Sequence, residues 1–278
     1  MNGGAVEAGG RASREPSGKA LARGGASSSS WGAVWALWLR QIKRYLRSRS
    51  RLVGSLGQPV LFLVALGFGF GPVFQKAGGG NYIQFLTPGI VLMGVLFTAI
   101  FSGIEIIWDR QFGFLKETLV APAPRLFIML GRTLGGATIA VIQGFLVLLV
   151  SFAAGFRLES WSRLPAAALF MGLTAVAFTA LGTAIASVLE DMQGFQLIMN
   201  FLVMPIFFFS GSIFPLKSLP RFLTDVAAAN PLTYGVDGLR LALSGGSYAG
   251  MGLDAAVLAG VAAVLVAAGA QLFSRIQA

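Results

Sequence analysis

Two missing residue types bound the chemistry open to this chain. Its 278 residues hold no Cys and no His, which removes thiol nucleophiles, disulfides, thiolate metal sites and every Ser-His or Cys-His catalytic pair. Ser210-Gly211-Ser212 has the outline of a nucleophile setting, but a serine needs a positioned base. Lys217 is the nearest, and it falls beyond the end of the apolar run that carries the serines. The Gly18-Lys19 pair is followed by Ala20 and lacks a Gly five residues before Gly18, so there is no Walker A loop and no means of splitting ATP alone. No metal or cofactor set can be assembled. Glu105 lies near the inner end of an apolar stretch, within about one turn of the interface, where it can snorkel or form an ion pair with Arg110. No other acidic residue is expected deep in a span, which argues against a proton- or sodium-driven carrier. These absences leave few ways for the chain to act as a catalyst by itself.

The elements that position these residues follow from hydropathy. With 55% hydrophobic and 12% charged residues and a mean hydropathy of +0.75, the chain is far more apolar than a soluble domain. It is expected to be an all-α polytopic membrane protein with six transmembrane helices, at about 52–74, 85–107, 126–152, 165–189, 195–214 and 253–273. Residues 1–30 read as a disordered cytoplasmic tail, rich in Gly, Ala, Ser and Arg and without the apolar core of a signal peptide. In 31–51, Trp31, Val34, Trp35, Trp38, Ile42, Tyr45 and Leu46 share one helical face and Arg40, Lys43, Arg44 and Arg47 the other. Such a basic amphipathic helix is suited to lying in the headgroup plane. A net charge of +10 would suggest nucleic acid in a soluble protein; here the distribution signals orientation. With the N-terminus inside, the inner segments carry 15 Lys and Arg against 6 outside, which puts both termini in the cytoplasm.

Gly67 with Gly71, and Gly131 with Gly135, are GxxxG pairs that let helices approach, although Gly is common in membrane helices anyway. Pro59, Pro88 and Pro205 are expected to kink their spans. Between spans two and three, Phe112, Leu115 and Leu119 form a stripe ended by Pro122. That is either an ordinary connecting loop or a short helix offered to a partner's groove. Glu190 and Asp191 sit in a second short cytoplasmic loop. After the fifth span, Leu219, Phe222, Leu223 and Val226 form the stripe of one short helix. Asn230 as N-cap and Pro231 at the first position open a second, where Val236, Leu239 and Leu243 share a face and Asp237 and Arg240 are spaced to pair. The two form a helical hairpin at the outer membrane boundary.

Met204-Pro205, Ser210-Gly211, Phe214-Pro215-Leu216, Leu219-Pro220, Asn230-Pro231-Leu232-Thr233-Tyr234, Asp237 and Leu239-Arg240 occur in an order and spacing that resembles the membrane subunits of type-2 ATP-binding-cassette (ABC) exporters. Within these the pattern is most similar to the daunorubicin-resistance and nodulation-factor exporter permeases, over roughly 31–278. The resemblance implies that 52–278 is a type-2 ABC transmembrane domain, and the basic, Arg-, Ala- and Gly-rich composition suggests a bacterial plasma membrane. It also implies a coupling helix carried by Asp109, Arg110, Gly113, Leu115, Glu117, Leu119 and Pro122, with Glu190 and Asp191 as a lesser contact to the same ATPase subunit. ATP and Mg would be bound by that partner, in two copies, against a homodimer of this chain. The cargo path would be lined by Gln58, Phe62, Phe97, Phe101, Asn200, Phe201 and Phe208, and its aromatic, weakly polar walls suit a drug, natural product, lipid or lipid-linked glycan. An ATP-independent carrier, or a purely structural membrane protein, is the alternative.

Overall fold

The computed structural model describes residues 26–77, 80–112, 124–216, 220–246 and 249–274, and the regular elements among them are all helical. They are α1 (Ala26–Arg47), α2 (Arg49–Lys76), α3 (Tyr82–Phe101), α4 (Ile104–Gln111), α5 (Arg125–Ala153) and α6 (Leu164–Val188), then α7 (Met192–Phe208), α8 (Arg221–Ala229), α9 (Pro231–Ser244) and α10 (Met251–Ser274). Five stretches are long and apolar enough to cross a membrane: Leu52–Lys76, Tyr82–Gln111, Arg125–Ala153, Trp161–Val188 and Met251–Ser274. The sixth, α7, has 17 residues, about 26 Å at 1.5 Å per residue, slightly short of a hydrocarbon core of about 30 Å. It stops early because the chain turns at Gly211, whose φ of +74° is open to glycine at little cost. The protein is a multi-pass helical membrane protein.

Local signals set the helix ends. The side chains of Asn81, Asp191 and Asn230 accept from the N–H groups of Ile83, Gly194 and Leu232, as N-caps should. Gly245, left-handed at φ +75°, ends α9. Pro59, Pro88 and Pro205 lie inside α2, α3 and α7.

α3 is the centre of the bundle, packed on α2, α5, α6, α7 and α9. It is apolar all round, as a helix buried on every side must be, and Leu86, Ile90, Leu92, Val95 and Leu96 are sealed from solvent. The expected second span is interrupted: α3 ends at Phe101, and Ser102 and Gly103 turn the chain into α4. At that break Gly103 and Gly182 let the backbones of α4 and α6 touch, since a Cβ on either would strike the other segment.

α1 begins at Ala26 and runs along α5. The contact is possible because Gly131 and Gly135 of α5 leave room for Val34 and Gln41; Trp38 Nε1 donates to Thr138 Oγ1 at 3.0 Å and Trp31 meets Phe127 edge-on. Of the other glycine pair, Gly67 touches Ile83 while Gly71 faces open space. Of the two hairpin helices, α9 packs into the bundle. Val236, Leu239 and Leu243 are fully buried against α3, α6 and α10, and Gly238 admits the ring of Phe170. α8 is more peripheral, with Phe222 74% exposed; Leu219 lies outside the described residues. One expectation needs correction: Asp237 and Arg240 turn to different partners. Arg240 Nη2 donates to the Gly211 carbonyl at 2.9 Å and its guanidinium lies over Phe85, while Asp237 accepts from the Ala249 N–H at 2.8 Å. Burial makes these local partners the cheaper solution.

Candidate functional site

Glu105 and Asp109 stand one turn apart on α4, and Arg40 and Arg44 one turn apart on α1. The two helices run in opposite senses here, so the pairs cross as a ladder. Arg40 reaches Asp109 at 3.8 Å and Arg44 reaches Glu105 at 3.7 Å, with Gln41 Nε2 donating to Glu105 Oε2 at 3.3 Å. Arg132 of α5 closes the group by donating through Nη2 to Asp109 Oδ2. Burial lowers the Arg40 pKa and the neighbouring Arg132 lowers it further, against the pull of Asp109. Glu105 thus has the ion pair expected of it, but with Arg44, since Arg110 points the other way.

Arg110 clamps the end of α6. Nη1 donates to the Leu189 carbonyl and Nη2 to that of Ser187, both at 3.0 Å, so the fork satisfies carbonyls that a helix C-terminus leaves open. Gln111 Nε2 donates to the Glu190 carbonyl at 3.3 Å and Trp108 Nε1 to Met192 Sδ. Asp191 caps α7. Two segments far apart in sequence, 108–111 and 187–192, are therefore one bonded unit. Gly113, Leu115, Glu117, Leu119 and Pro122 lie outside the described residues.

Above this unit a cavity of about 340 Å³ opens between α1, α2, α3 and α5. Gln58, Phe97 and Phe101 line it, together with Tyr45, Ser55 and Glu105. The remaining path residues are elsewhere. Phe62 meets Phe207 edge-on at 6.4 Å, and Asn200, Phe201 and Phe208 face outward on α7, with Phe201 84% exposed. Behind the cavity Gln143, fully buried on α5, accepts from the Tyr45 hydroxyl at 2.8 Å and from Ser55 Oγ at 2.9 Å. Sequence reading missed Gln143 and Arg132, although polar residues inside an apolar run are the signal for such partners.

The opposite end of the bundle is held by main-chain contacts. Asn230 Nδ2 donates to the Ile206 carbonyl at 2.6 Å, the Tyr234 hydroxyl to Ala228 at 2.8 Å, and the Tyr82 hydroxyl to Ile213 at 3.1 Å. Ser210 and Ser212 share a hydroxyl contact at 2.6 Å. Pro220 immediately precedes α8, and Pro215 lies in the turn before it. Asp254 lies in the first turn of α10, near the end of that span, and is fully buried.

The described residues thus form an apolar, multi-pass helical bundle cross-linked by charges at one end, with a cavity beside them. The profile of the ABC-2 type transporter family matches residues 32–243, and the chain belongs to that family. It is 31% identical over 216 residues to "Nodulation protein J" of Rhizobium leguminosarum bv. trifolii, covering 77% of this chain and 80% of that one. It is 28% identical over 221 residues to "Inner membrane transport permease YadH" of Escherichia coli K12 (77% and 84%). To "Putative transport permease ycf38" of Cyanophora paradoxa it is 29% identical over 204 residues (71% and 69%).

Proposed function

We propose that this chain is the permease subunit of an ATP-driven exporter in a bacterial plasma membrane, with both termini cytoplasmic. It works as a homodimer beside two copies of a separate ATPase subunit, which binds the ATP and Mg. The cargo is amphipathic or hydrophobic: a drug, natural product, lipid or lipid-linked glycan. The observation that carries this reading is the Arg110 fork on the carbonyls of Ser187 and Leu189. Closure of the ATPase on the segment after Gln111 pushes on α4, and the fork passes that displacement to the ends of α6 and α7. The ladder passes it to α1 and α5. The cavity between them, with Phe97, Phe101 and Gln58 in its wall, is where cargo enters.

Dimer formation is supported by the apolar faces of α2 and α7. Val53, Leu61, Phe68, Leu197 and Phe201 are each 60% exposed or more, a seam that a second copy would cover. The printed names of the relatives, two of them transport permeases, agree with the reading. Affinity purification of the tagged chain in mild detergent, with mass spectrometry and an ATPase assay of the eluate, tests it. A stoichiometric ATPase is expected; a lone chain whose transport follows an ion gradient would point to a carrier instead.

A further inference from the structure

The basic face of α1 is divided between two tasks. Arg40 and Arg44 turn to Asp109 and Glu105 of α4. Lys43 and Arg47, one turn apart on the same helix, are exposed and meet no carboxylate among the described residues. The same holds for Arg49, just across the Ser48 joint at the start of α2. No Asp or Glu occurs between Pro16 and Ile104, and the acids that the fold brings near are held by Arg40, Arg44 and Arg132. Three cations are left open around one joint.

At about 100° per residue, α1 presents three faces. Val34, Gln41 and Tyr45 are buried on the side that packs on α5. Trp31, Trp35 and Leu46, 64%, 61% and 53% exposed, form an apolar stripe beside that seam. Lys43 and Arg47 border the stripe on its far side, between it and the paired arginines. An acidic protein or a nucleic acid would neutralise these cations but leave the tryptophans in water. A bilayer surface satisfies both: the rings and Leu46 enter below the headgroups, and the long Lys and Arg stems reach back to the phosphates. Position agrees, since the apolar stretch of α2 begins at Leu52, immediately after the three cations, which sets them at headgroup depth.

We propose that Lys43, Arg47 and Arg49 form a binding rim for the phosphates of anionic phospholipids, with Trp31, Trp35 and Leu46 seated in the same leaflet. Each rim cation contributes roughly a fivefold preference for an anionic over a zwitterionic headgroup, and the preference weakens as salt rises. The paired Arg40 and Arg44 add little, because their charges are already met by α4. The site depends on the multi-pass fold and on the course of α1 along α5, not on transport or on an ATPase.

Native mass spectrometry of the full chain, released from micelles holding equimolar phosphatidylglycerol and phosphatidylcholine with matched acyl chains, counts the lipids retained. Wild type is expected to keep phosphatidylglycerol over phosphatidylcholine by roughly fivefold or more. The triple variant Lys43→Gln, Arg47→Gln, Arg49→Gln should lose that preference, and the charge-retaining Lys43→Arg, Arg47→Lys, Arg49→Lys should keep it. Lys76→Gln, Arg157→Gln, Arg221→Gln removes the same charge from exposed positions away from α1 and should also keep it. Equal retention of the two lipids by wild type would overturn the proposal, as would equal losses in the two Gln triples. Displacement of phosphatidylglycerol by millimolar inorganic phosphate at constant ionic strength would mark a small-anion site instead. A rim variant that keeps the lipid preference but sheds a co-purifying ATPase would assign the rim to that partner. Should the rim triple fold poorly, Lys43→Gln and Arg47→Gln are read singly; each should lower the preference a few-fold, and no change in either sinks the idea.

Discussion

Arg132 of α5 donates to the carboxylate of Asp109 on α4 where the arginine side chain is only 3% exposed. Such a pair is worth little against an apolar replacement, but removing one partner strands a charge. Arg132→Met or Asp109→Ala alone should cost about 3–5 kcal/mol and lower Tm by roughly 10 °C. The double variant should recover most of that loss. Thermal unfolding of all four proteins in detergent checks it, and additive losses would refute the pairing.

The Arg110 fork is a geometric device, and Lys cannot reproduce it. A single ammonium cannot reach both carbonyls with the planar geometry of a guanidinium. Arg110→Lys should leave membrane insertion and Tm nearly unchanged while lowering cargo export several-fold, read as cellular accumulation of a transported drug. Glu117→Lys, on the segment expected to meet the ATPase, should abolish export with insertion intact. Normal export by the latter would remove the role assigned to that segment.

α1 is seated on α5 where Gly131 and Gly135 carry no side chains. A Cβ on Gly131 would lie 3.0 Å from the Val34 carbonyl oxygen, so Gly131→Leu must push α1 away at a cost of about 1–3 kcal/mol. The displacement should appear as faster proteolysis between α1 and α2. Trp38→Phe, which loses only the bond to Thr138, should cost about 1 kcal/mol and leave the digestion pattern unchanged.

Asn230 serves two ends at once, capping α9 through the Leu232 N–H and holding the Ile206 carbonyl of α7. Asn230→Ala should cost about 2–3 kcal/mol, more than the typical ~1 kcal/mol of a cap alone. Asn230→Asp retains the cap acceptor but loses the amide donor, and should fall between. Hydrogen exchange at the first amides of α9 reports both.

Periodicity and length were enough to establish a multi-pass helical protein, its helix-opening residue Asn230, and the shared face of Val236, Leu239 and Leu243, because these depend on the chain's own hydropathy and on bonds across a few residues. The absence of Cys, His and a phosphate loop likewise excluded most catalysis without any coordinates. Which charge meets which was a different matter. Asp237 sits three residues from Arg240, yet the arginine went to Gly211 and Phe85. Arg110 left Glu105 to Arg44, and Asp109 found Arg132 on α5. Sequence spacing ranks only neighbours on one helix, where an ion pair gains a few tenths of a kcal/mol. Burial changes that ordering, because a desolvated charge is held by whichever carbonyl, ring or carboxylate the packed helices bring within reach. The course of α1 along α5, the insertion of α9 into the bundle and the burial of Asp254 were decided at that level. They depend on helix crossings, and no local pattern encodes where those fall.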